Sequence, residues 1–126
     1  MIAHKYKTIS EAEAAYREYL DYHIAAVRWV QDNFGTLICT EICVHRNSEH
    51  DGDALWLNRL LSQMVAVHDE SKYTDAEFNA YRQHFYPSEE DSISDPIRYK
   101  DFDYAWRHHY MTNAHHPEHW SSLNYR

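Results

Sequence analysis

The sequence predicts an all-α fold, and three observations carry that prediction. Only two glycines and three prolines occur in 126 residues, too few turn residues for a many-stranded sheet. Apolar residues recur at steps of three and four along several stretches. Ser/Thr-x-x-Glu pairs, the pattern of a helix-opening capping box, stand ahead of two of those stretches. With 44% hydrophobic residues the composition is that of a folded protein. Its length suits one compact helical domain over residues 1–126, built from four to five main helices.

The first helix opens at Thr8 or Ser10, each with a glutamate three residues on (Glu11, Glu13). Tyr16, Leu20, His23, Val27 and Val30 define one face, and Gly35 is expected to end the helix. In residues 36–50, TLICTEICV fits a strand or a helix, and HRNSEHDGD reads as a loop. Asp51 or Asp53 then caps a helix through ALWLNRLLSQMVAVHDE, with Leu57, Leu61, Met64 and His68 on one face. Thr74 with Glu77 forms another capping box, and Pro87 gives a stop. SEEDSISDP reads as a solvated acidic connector. The last clear helix covers roughly residues 97–113, with Phe102, Trp106, His109 and Asn113 on one face. AHHPEHWSSLNYR closes the chain with a turn and a short segment.

A net charge of −8 disfavours a broad grip on a nucleic-acid backbone, which needs a basic surface. It is compatible with a small phosphorylated substrate, because a bound cation reverses the local field. No apolar run approaches the ~20 residues of a membrane span, and the first residues lack the apolar core of a signal peptide, so a cytoplasmic location is expected. Nothing in the sequence sets the oligomeric state. Cys39 and Cys43 form a C-x3-C pair with no second pair to complete a zinc site, and they read as reduced thiols in or near the core.

The chemistry is carried by histidines, of which there are eleven. His68-Asp69 ends an apolar helical run, and adjacent His and Asp side chains can offer a nitrogen and an oxygen to one cation. Lys72, about one turn beyond, has the reach to meet a phosphate. His109 projects from the Trp106 face, with His115-His116 beyond it, and His23 lies on the apolar face of the first helix. One inward histidine reads as core; several imidazoles together read as a metal site.

VHDESK resembles the HD-x-x-K motif of the HD-domain metal-dependent phosphohydrolases, and HHPEHW resembles the His-His stretch of their multi-metal branch. A closer likeness is to an uncharacterised family of phage and bacterial proteins. Its elements stand here as Tyr19-Leu20 with His23, His68-Asp69-x-Ser71-Lys72-Tyr73, Glu77-Phe78, Tyr81 and Phe85-Tyr86. They continue as Ala105-Trp106, His109, Asn113, His115-His116 and Trp120. The superfamily resemblance implies an HD-like fold and a divalent ion (Mn, Fe, Zn, Mg or Ni). It implies His23, His68, Asp69, His109, His115 and His116 as the ligand set, with Asp69 and Lys72 in catalysis, on a nucleotide or other small phosphoester. Glu70 and Glu118 are candidate proton shuttles. The same superfamily holds di-iron oxygenases, and a non-catalytic metal- or ligand-binding module is the third reading. HD enzymes close the site with a late aspartate, and no aspartate follows Asp103 here. His115 or His116 takes its place, the site is altered, or the aspartate lies beyond this sequence.

Overall fold

A computed structural model describes residues 6–46 and 52–123. Its regular elements are α1 (Ile9–His45), α2 (Asp53–Ala66), a 3-10 turn (Glu70–Tyr73), α3 (Phe78–Phe85), α4 (Asp95–Thr112) and α5 (Pro117–Leu123). The fold is all-α: among the described residues no strand forms, and one isolated bridge joins Tyr6 to Ser88. The chain falls into two compact units. One takes the described residues up to 22 and from 69 onward; the other takes residues 23–68.

In the first unit, α1 is opened by Thr8, whose Oγ1 accepts the Glu11 N–H at 3.1 Å. The Glu11 carboxylate in turn accepts the Lys7 N–H at 3.2 Å. One of the helix's early amide donors, the Glu11 N–H, and the Lys7 N–H just ahead of the helix are thereby satisfied, which fixes where it begins. Tyr16 and Leu20 from α1, Phe78 and Tyr81 from α3 and Ala105 from α4 form the core. Tyr86 and Phe102 pack against it. Burying a large apolar side chain contributes about 1.5–3 kcal/mol, so these few residues dominate the unit's stability. The 3-10 turn packs on α3 and α4, and α5 packs on α4.

The acidic segment before α4 is mostly exposed, as its composition suggests, but two of its carboxylates are anchored. Asp91 forms a two-pronged pair with the buried Arg82 guanidinium (2.7 and 2.8 Å) and accepts the Ser88 N–H at 2.7 Å. Glu90 accepts the Ile9 N–H at 2.9 Å. Burial alone would raise the Asp91 carboxyl, but the hydrogen bonds from Arg82 and Ser88 outweigh it and hold it below the usual carboxylate range.

In the second unit, α1 and α2 form an antiparallel hairpin. Arg28 donates to the Ala66 carbonyl (3.1 Å), Gln31 to Asn58 Oδ1 (2.8 Å) and Ser62 Oγ (3.1 Å). Gly35, expected to end the first helix, lies inside it. A Cβ there would stand 2.5 Å from Gln31 Nε2 and 2.7 Å from Asn58 Oδ1, so the glycine serves close helix approach rather than termination. TLICTEICV is therefore helical. The expected face also divides: Tyr16 and Leu20 are buried, while Val30 is exposed. α2 begins at Asp53 without a side-chain cap bond, and ends at Ala66, short of His68. Asp51, the other proposed cap, lies outside the described residues.

Candidate metal centre

The first unit gathers four of the expected ligands. Asp69, His109, His115 and His116 each offer one ligand atom, all within 4.8 Å of one another. The elements that deliver them differ in kind. Asp69 follows the end of α2 and stands ahead of the 3-10 turn with φ 58°, the only non-glycine residue with positive φ among the described residues. Aspartate tolerates this left-handed backbone better than most residues. The geometry leaves Asp69 2% exposed and its N–H donating to Asn113 Oδ1 at 3.2 Å.

His109 sits in the last turn of α4, 1% exposed, between a carboxylate on each side. Its Nδ1 is 2.8 Å from Glu77 Oε1, and its Nε2 is 3.2 Å from Asp69 Oδ1. An ionised carboxylate only accepts, so Nδ1 carries the proton toward Glu77 and Nε2 is directed at Asp69. This is the carboxylate–imidazole arrangement that orients metal-binding histidines. Burial pushes the His109 pKa down, but Asp69 and Glu77 outweigh it and the net direction is up. Burial pushes Glu77 up, yet hydrogen bonds with His109, Ser71 and His108 bring it below its ordinary value. Glu77 is therefore ionised while fully buried, a cost justified only by its cationic or N–H partners.

The turn after α4 brings in His115 and His116. Asn113 Nδ2 donates to the His109 carbonyl and to Ser71 Oγ, both at 2.8 Å, so one side chain ties the helix end to the segment bearing Asp69. Trp120 Nε1 donates to the Ala114 carbonyl at 2.8 Å and closes the turn on α5. His115 Nε2 then stands 3.4 Å from Asp69 Oδ1. The His116 ring lies 4.7 Å from that of His109. Burial and the nearby His109 lower the His116 pKa, which favours its neutral, metal-binding form.

The separations at Asp69 Oδ1 (3.2 and 3.4 Å) exceed the ~2.7–2.9 Å of a charge-assisted N–H···O bond. They match the ~3.4 Å edge between ligand atoms held ~2.1 Å from a tetrahedral ion. The donor set of one carboxylate and three imidazoles suits manganese, iron or zinc. Burial first, and then the charges of Glu77 and Asp69, raise the Tyr81 phenol above its ordinary value. Lys72, expected from its spacing to meet a phosphate, is half-buried with its Nζ 3.3 Å from Asp69 Oδ2. Of the shuttle candidates, Glu118 is 4.0 Å from His116 Nδ1 and Glu70 is exposed.

The second unit holds the other two expected ligands. His23 and His68 face each other, Nε2 to Nε2, at 3.1 Å. Three contributors escaped the sequence reading. Glu77 looks like the closing member of a capping box, but Thr74 Oγ1 donates to the Ser71 carbonyl and Glu77 instead serves His109. His108, not among the expected ligands, stands 2.6 Å from the other Glu77 oxygen. Asn113 shows in sequence as a member of the His109 face, four residues on, and as an element of the family pattern, with no role attached to it there.

A helical protein with a carboxylate–imidazole cluster, its central histidine pinned by a buried glutamate, is the class that fold and site define. Within it, the chain belongs to DUF5662, a family of unknown function whose profile matches residues 12–125. No curated protein and no solved structure matches the chain.

Proposed function

We propose that Asp69, His109, His115 and His116 hold a divalent cation, and that the protein is a metal-dependent phosphohydrolase acting on a nucleotide or another small phosphoester. The observation that carries the metal half is Asp69 Oδ1, shared by the Nε2 atoms of His109 and His115 at separations suited to ligands of one ion. The reaction rests on Lys72 and on the resemblance to HD phosphohydrolases. When bound, the ion supplies Lewis acidity, lowering the pKa of water and polarising a phosphoryl oxygen.

The chain's own residues do the rest. Glu77 holds the His109 proton on Nδ1 and so fixes Nε2 as the donor atom. Asn113 sets the Asp69 backbone. Lys72, held near Asp69, neutralises phosphate charge on the substrate. His115, exposed, and His116, half-buried, leave the cluster open on their side, as a catalytic site requires.

Elemental analysis of the purified chain and of Asp69→Asn tests the metal. Stoichiometric metal in the first and its loss in the second are expected. A wild type without stoichiometric metal under any loading condition ends the reading. A manganese-loaded protein that releases no phosphate from a broad phosphoester panel ends the hydrolytic half. Oxygen uptake by an iron-loaded protein that is also inert on that panel moves the reaction to the oxygenase class.

A further inference from the structure

The second unit carries an apolar surface that its own two helices leave uncovered. Gln31, Thr36, Asn58 and Ser62 meet in a polar seam between the helices. Only Ile24, Gly35 and Cys39 of α1 are buried in this unit, and α2 buries no residue at all. Meanwhile Phe34, Leu37, Ile38 and Ile42 of α1 are 41–59% exposed, and Trp56 and Leu60 of α2 are 65% and 40% exposed.

These residues share one side. At about 100° per residue, the four α1 residues occupy an arc just before the side that faces α2 through Gln31, Gly35 and Cys39. On α2 half-buried Ala54, Leu57, Asn58, Leu61 and Val65 mark the protected side, centred near Leu61, and the exposed Leu60 and Trp56 stand about 100° and 140° before that centre. In an antiparallel pair, offsets of the same sense place both arcs on the same side of the hairpin.

We propose that this face is the interface with a second copy of the chain, two hairpins packing as the halves of a four-helix bundle. A helix with an apolar stripe is stable only when the stripe is buried, and two hairpins meeting through equivalent faces bury both at once. The area fits. By their fractional exposures the six residues leave about 600 Å² uncovered per chain. A standard interface takes about 800 Å² from each partner, a little over half of it apolar. Charge fits as well. Residues 23–68 carry Arg28, Arg46 and Arg59 against Asp32, Glu41, Glu49, Asp51 and Asp53, a small part of the chain's −8, so two hairpins meet with far less repulsion than the whole chain's charge implies. The same balance, with no lysine, argues against an anionic membrane surface as the occupant.

Sedimentation equilibrium of the full chain tests this, with twice the 15.2 kDa chain mass expected. Phe34→Glu with Trp56→Glu is expected to give a monomer of unchanged helicity, and Tyr104→Glu in the first unit to leave the dimer intact. A wild type that is monomeric throughout the micromolar range overturns the proposal, as does a dimer that survives the double substitution. Should the charged variant lose helicity, Leu37→Ala with Leu60→Ala replaces it. At least a tenfold rise in the dimer dissociation constant is then expected, and an unchanged constant overturns the proposal. A monomeric wild type that co-sediments with phosphatidylcholine–phosphatidylserine vesicles identifies a membrane as the occupant instead.

Discussion

In the first unit the charged side chains that go inside meet partners: Arg82 meets Asp91, Glu77 meets two histidines, and Asp69 meets Lys72 and His109. In the second unit the polar side chains join the two helices, and large apolar side chains face outward. The difference lies in where each unit keeps its cost. A buried charge is expensive unless every partner is in place, so the first unit is intolerant of single changes. The second is built on neutral amide and hydroxyl contacts, each contributing only about 1 kcal/mol, and its apolar side chains contribute little until something covers them.

That contrast breaks most readily at Arg82. Arg82→Met removes one partner of a buried pair and should cost about 3–5 kcal/mol, read from urea unfolding. The pair also sets a pH dependence. The folded Asp91 carboxyl titrates below its ordinary 3.8, so the stabilisation is fully present above that value and is lost as pH falls through the folded pKa. Arg82→Met should flatten the acid limb of the stability profile. An unchanged limb would assign acid unfolding to other groups.

The next largest effect falls on the cluster. If the cluster holds the proposed ion, His109→Ala should reduce metal affinity by more than about 100-fold in a chelator competition assay, since it removes a proposed ligand rather than a ligand's support. Glu77→Gln keeps the shape but exchanges the carboxylate for an amide, and a loss of about 10–100-fold is expected. If Glu77→Gln binds metal as tightly as wild type while His109→Ala does not, the glutamate is structural only. The smallest effect is expected in the hairpin. Gly35→Ala gains about 1 kcal/mol of helix propensity and displaces the ends of Gln31 and Asn58, so its unfolding free energy should stay within about 1 kcal/mol of wild type. A loss well beyond that would show the seam to be as exacting as the first unit's interior.

Much of the candidate site was legible because its parts are local in sequence. His68-Asp69 with Lys72, and His109 with His115-His116, stand out as spaced residue types whatever the fold. Helical periodicity likewise marked Tyr16, Leu20, Phe102 and His109, since a 3.6-residue repeat is written directly into the order of residues. What failed were the readings in which one residue type serves two purposes. A glutamate three residues after a threonine matches a capping box, and only the packing of α3 on α4 turns Glu77 toward His109. A glycine within a helical pattern signals an end, and only the approach of Asn58 shows why Gly35 sits inside α1.

The sequence by itself determined the all-α class, the inventory of metal-suited side chains and a charge balance that disfavours nucleic acid, because these depend on composition and short-range spacing. The tertiary structure decided which histidines join Asp69 in the first unit and which pair stands in the second. It also decided which carboxylate orients His109, and which apolar residues are left outside. Those outcomes depend on contacts between residues tens of positions apart, such as Asp69 with Asn113 and Glu77 with His109. Such contacts are set by how helix faces pack and leave no local signature in the chain.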